Sequence, residues 1–181
     1  MRMINIFDAV QMADFEKFRE FYDGELEITY PGGLNLLSMA LSKDGNNEER
    51  LKIVDFLIKE GIDINYVDKE GRSALHNFFQ LNWRPDYDYA MAVITKLLDA
   101  GIDVNLVDKF GSIALIYAIT VLKWETEKAA PLYLLLLKAG SDYELKNHQN
   151  MSCLDYGHDY SWRHGFIDMV EEFEKNLRED R

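Results

Sequence analysis

The side chains best suited to chemistry near neutral pH are four histidines, His76, His148, His158 and His164, and one cysteine, Cys153. His158 and His164 stand near Cys153, Asp155 and Asp159, residue types that can ligate a metal, but their spacing completes no zinc pattern of paired Cys and His ligands. His148 falls in a turn, and no phosphate-cradling glycine loop, nucleophile elbow or metalloprotease helix is present. The reading is therefore a non-enzyme with no cofactor and no metal. A metal-dependent enzyme built on His158 and His164 is the last of the alternatives.

The charge balance narrows the partners. The chain has 181 residues, with 20 Lys+Arg against 32 Asp+Glu, a formal charge of −12. A field of that sign repels nucleic-acid phosphates and anionic lipid, and its complement is a basic protein. A lone cysteine forms no internal disulfide, and the acidic opening segment lacks the apolar core of a signal peptide, so a cytoplasmic protein is expected. The longest apolar run, 131–137, is far too short to cross a bilayer and reads as a buried helix.

What positions these residues is an internal repeat. Leu57-Ile58-Lys59-Glu60-Gly61-Ile62-Asp63-Ile64-Asn65 recurs as Leu97-Leu98-Asp99-Ala100-Gly101-Ile102-Asp103-Val104-Asn105 and again as Leu136-Leu137-Lys138-Ala139-Gly140-Ser141-Asp142-Tyr143-Glu144, with offsets of 40 and 39 residues. A second anchor, Asp68 to Leu75, recurs at Asp108 to Leu115 and at Asn147 to Leu154 with the same offsets. The span 48–59 is apolar on more than one stripe, as a helix packed between neighbours must be. The glycine after it suits a left-handed helix stop, the Ile-Asp-Ile-Asn alternation an extended arm, and Asp68-Lys69-Glu70-Gly71 a turn before a helix capped at Ser73. Pro131 lies early in the second helix of its unit, where a first-turn proline is tolerated; further in, it would kink that helix.

These residues resemble the ankyrin repeat, whose Thr-Pro-Leu-His tetrapeptide appears here as Ser73-Ala74-Leu75-His76, Ile113-Ala114-Leu115-Ile116, Ser152-Cys153-Leu154-Asp155 and Asn35-Leu36-Leu37-Ser38. The Gly-Ile-Asp-Ile-Asn and Gly-Ile-Asp-Val-Asn exits are the most specific matches. The resemblance implies an all-α solenoid of about five helix-pair units, 4–32, 33–70, 71–110, 111–149 and 150–181, the first and last acting as caps. It also implies that His76 is a structural hydrogen-bonder and that Cys153, in the proline position, is a small buried thiol. The family binds partners through a concave face of hairpin tips and first helices, which here would carry Tyr66, Asp68, Lys69, Glu70, Arg72, Leu106, Asp108, Lys109 and Phe110. Of these, Phe110 and Arg72 are the expected contacts.

The period departs from the ankyrin value of about 33 residues, and the surplus lies between the two helices of each unit. All three tryptophans fall in those inserts. Equivalent inserts stack on one edge, so Trp83, Trp124 and Trp162 are expected to form a ridge flanked by Asp86, Tyr87, Asp88, Asp159 and Tyr160. Large side chains covering the ends of lengthened helices are the competing explanation. The expected function is a protein-binding module, present as a monomer or as a heterodimer with its partner. The chain is similar to small acidic ankyrin proteins that act as bacterial immunity proteins, which occlude a cognate toxin. The alternative is a regulatory or host-directed adaptor without a toxin partner.

Overall fold

The computed structural model describes residues 4–43, 45–81 and 84–179, and among them the chain is all-helical with no strand. In order the helices are α1 (Ile6–Met12), α2 (Phe15–Phe21), α3 (Leu36–Leu41), α4 (Asn47–Glu60), α5 (Ala74–Leu81), α6 (Tyr87–Asp99), α7 (Ala114–Thr120), α8 (Thr126–Lys138), α9 (Cys153–Asp159) and α10 (His164–Glu179), with a 3-10 turn at Ser161–Arg163. Contacts follow chain order in two rows. The odd-numbered helices touch in series from α1 to α9, and the even-numbered ones from α2 to α10. No helix among the described residues is long and apolar enough to cross a membrane.

Local chemistry explains the ends of these helices. Glu48 and Glu49 in the first turn of α4 and Lys59 in its last complement the helix dipole. The helix closes at Gly61, φ 87°, where the Ile62 N–H reaches back to the Leu57 carbonyl at 3.1 Å. The same reach-back follows α6 and α8, from Ile102 to Leu97 and from Ser141 to Leu136. Asp86 caps α6 through the Tyr89 N–H, and Ser152 and Asp155 form a reciprocal capping box on α9. Pro131 is the sixth residue of α8, further in than the first turn, and the helix runs on to Lys138 with Pro131 on the exposed side.

Between the rows lies a continuous apolar core that includes Leu37, Val54, Leu75, Val93, Leu115 and Leu132, all fully buried. Each such side chain contributes about 2 kcal/mol relative to exposure. Polar groups at recurring positions stitch neighbouring segments together. Asp68 Oδ1 accepts the N–H groups of Glu70 and Arg72, Asp108 Oδ1 those of Phe110 and Ser112, and Asn147 Oδ1 those of Gln149 and Met151. Adjacent turns are then joined by backbone bonds, Lys109 N–H to the Glu70 carbonyl and His148 N–H to the Phe110 carbonyl, both 2.8 Å. At Gly111, φ 72°, a Cβ would sit 2.8 Å from the His148 ring, so only glycine lets the next turn approach this closely. Along the arms, Asn105 accepts the Asp142 N–H at 2.8 Å and donates to the Gly140 carbonyl at 2.8 Å, and Asn65 does the same toward Asp103 and Gly101.

His76 is a bolt between segments. Its Nε2 lies 2.8 Å from the Ser112 carbonyl, which can only accept, so the proton is on Nε2 and Nδ1 accepts from Ser73. Burial holds its pKa below the ordinary 6.5.

Two arginines legible in the sequence only as ordinary charges are fully interior. Arg163, 1% exposed, donates from Nε to the Ile119 carbonyl at 2.8 Å, from Nη1 to that of Trp124 at 2.7 Å, and from Nη2 to that of Leu122. It thus satisfies a last-turn carbonyl of α7 and two carbonyls of the segment that follows. Arg50 is buried in the same manner, on the carbonyls of Val10, Gln11, Ala40 and Gly45, at the ends of α1 and α3.

Candidate functional site

Two surfaces collect the residues singled out by the sequence. On the turn face, Phe110 sits at the tip of the turn 108–111, 48% exposed, above a groove of roughly 250 Å³. The groove is lined by the aromatic residues Phe110, Tyr117 and Tyr156, by Ile116, and by the polar residues Ser112, Thr120, Asn147 and Gln149. Both tyrosine rings are tethered. Tyr117 Oη donates to Asp108 Oδ2 at 2.5 Å, and Tyr156 Oη donates to Gln149 Oε1 at 3.2 Å while accepting from Asn147 Nδ2 at 3.1 Å. Burial, followed by the bond to the Asp108 carboxylate, pushes Tyr117 up to about 12, so its phenol stays protonated at any physiological pH.

The charges around this groove balance. Lys109 pairs with Glu70, Lys146 with Asp155 at 3.7 Å, and Arg72 faces the Tyr117–Asp108 pair. Arg72 is half-buried, and its Nε lies buried without a hydrogen-bond partner among the described residues. Several residues expected on this face belong instead to the fold. Asp108 is 4% exposed and spent on its turn, Asp68 does the same work one turn earlier, and Tyr66 Oη donates to the Gly33 carbonyl at 2.7 Å.

The insert edge is built differently from an open ridge. Trp83 lies outside the described residues. Trp124 is 7% exposed and packs on Tyr87 with ring centroids 5.3 Å apart, under the Lys128 ammonium at 5.0 Å. Trp162 is 50% exposed and stacks on Tyr160 at 4.8 Å, with Lys123 above it at 6.0 Å. No ring contact joins these two pairs among the described residues. Asp88 and Asp159 are exposed, and Asp86 is exposed but committed to capping α6. The lysines over the indoles replace the purely acidic surround that the sequence suggested.

Tyr117 and Tyr156 were not among the expected contacts, although the repeat alignment holds the signal. Each stands nine residues after its turn residue, Asp108 or Asn147, in the column that holds Asn77 after Asp68. Of the potential metal ligands, His164 Nε2 lies 3.1 Å from the His158 carbonyl, and no group of His, Cys, Asp or Glu able to hold a metal forms among the described residues. Cys153 is fully buried, and burial drives its thiol pKa far up, which makes it a poor nucleophile. No protein-family model matches the sequence, and no curated protein is significantly similar to it.

Proposed function

We propose that the chain is an ankyrin-repeat array, without catalytic activity, that binds a basic protein through its turn face. The observation that carries the reading is Phe110, a half-exposed aromatic over an open aromatic groove on a face built from aligned turns. The serial contacts of the two helix rows and the recurring turn and arm bonds support the array. The charge of −12 supports a basic partner, because it steers encounter as well as favouring the complex. In its most specific form the protein acts as an immunity protein that occludes a basic toxin or effector domain from the same cell. A regulatory adaptor is the second reading. It is favoured by the separate Tyr160–Trp162 pair, which offers a second docking point.

The test is co-expression with a basic protein encoded next to this gene, followed by pull-down at low and high salt. Phe110→Ala is expected to abolish a salt-sensitive complex that Trp162→Ala leaves intact. The opposite pattern would move the interface to the insert edge, and a partner released by neither variant would remove both faces.

A further inference from the structure

We propose that the turn-face groove is a receptor for a cationic side chain, arginine or lysine, of the partner, built on the exposed ring of Phe110. The inference rests on the turn face being the interface.

Phe110 stands where the neighbouring turns carry Glu70 and Gln149, and all three turns close with the same backbone bonds. The fold uses the N–H and carbonyl of Phe110, not its ring. The ring is therefore available for something else. A cation already sits on it: the Lys109 ammonium lies 5.1 Å from the Phe110 centroid, with its charge answered by Glu70. Such a position is attractive because the face of an aromatic ring carries partial negative charge. Beyond Phe110, the Tyr117 and Tyr156 rings are fixed by their hydroxyl bonds, so the walls are preorganised and a ligand spends little ordering entropy on them. The Asp108 carboxylate beneath Tyr117 is faced by Arg72, so the long-range attraction for a cation comes from the overall charge of −12.

The probe is a short glycine–serine peptide carrying a single arginine, compared with the same peptide carrying neutral citrulline or leucine. Binding to the full chain is followed by the ring resonances of Phe110, Tyr117 and Tyr156. The arginine peptide is expected to shift these resonances, and citrulline and leucine to leave them in place. Phe110→Leu keeps both backbone bonds of the turn while removing the aromatic face, and should weaken arginine binding about fivefold. Lys109→Gln removes a like charge from the same ring and should tighten it about twofold. Leucine binding in place of arginine, wild-type affinity in Phe110→Leu, or weaker binding in Lys109→Gln would each overturn the receptor. If Phe110→Ala loses the partner protein while no arginine peptide binds, the interface stands and the receptor fails. If Phe110→Ala retains the partner, the interface fails and the receptor fails with it.

Discussion

Replacing Arg163 by methionine tests whether a buried guanidinium holds the last helices to the rest of the chain. The side chain is 1% exposed and satisfies three carbonyls, those of Ile119, Leu122 and Trp124, with Thr126 Oγ1 a weaker fourth contact at 3.4 Å. Methionine fills much of the same volume but donates nothing. Each buried acceptor left without a donor costs about 1–3 kcal/mol, so three of them cost about 3 kcal/mol or more. In a chain of this size that lowers Tm by roughly 10 °C. Because stacked units lose neighbours from their ends first, the loss should be concentrated in α9 and α10. Thermal denaturation combined with hydrogen exchange reads both effects. Amides of α10 should lose protection while those of α5 keep it. Arg163→Lys supplies a single ammonium that cannot fan across all the carbonyls, and should recover about half the loss. An Arg163→Met protein within about 1 kcal/mol of wild type, with α10 still protected, would refute the clamp.

Stability should fall as pH drops below about 6.5, because His76 is held neutral by burial with its pKa below the ordinary value, so the unfolded chain binds the proton that the native state refuses. The contribution is full above 6.5 and is lost from there down toward the depressed pKa. Urea titrations at several pH values should find this slope reduced in His76→Gln. Gly111→Ala should cost more than Gly61→Ala, about 3 against about 1 kcal/mol, since both positions have positive φ but only the first brings a Cβ against His148, at 2.8 Å. Equal losses in urea denaturation would put the whole cost in the backbone. Cys153 should resist an aromatic disulfide reagent at pH 8 in the native protein and react fully in denaturant, given its burial and raised pKa. Rapid native reaction would mean that α9 opens readily.

The sequence reveals the fold wherever one physical requirement recurs. A helix stop needs positive φ, so glycine marks it at positions 61, 101 and 140; a turn needs an acceptor for two N–H groups, so Asp68, Asp108 and Asn147 mark it. The expected helix at 48–59 and the observed Asn47–Glu60 agree for that reason. The arginine clamps were invisible because nothing in the sequence separates a buried arginine from a solvated one. Arg163 is interior only because three carbonyls from residues about forty positions away converge on it. Among the described residues the two insert-edge indoles differ for a related reason. A shared place in the repeat fixes which edge an indole lies on, but not whether a neighbour covers it, and Tyr87 with Lys128 covers Trp124 while Trp162 has only Tyr160 and Lys123.

That contrast separates structural from recognition positions within a repeating chain. Where every unit spends the same side-chain atom on the same backbone groups, the residue is tied to folding, as with Asn65 and Asn105 on the arms. Where the backbone does identical work under different side chains, as at Glu70, Phe110 and Gln149, folding leaves the side chain unconstrained. An exposed aromatic at such a position lowers solubility and adds nothing to the turn. On the proposed reading the ring serves contact with a partner, beside a groove that Tyr117 and Tyr156 help to line.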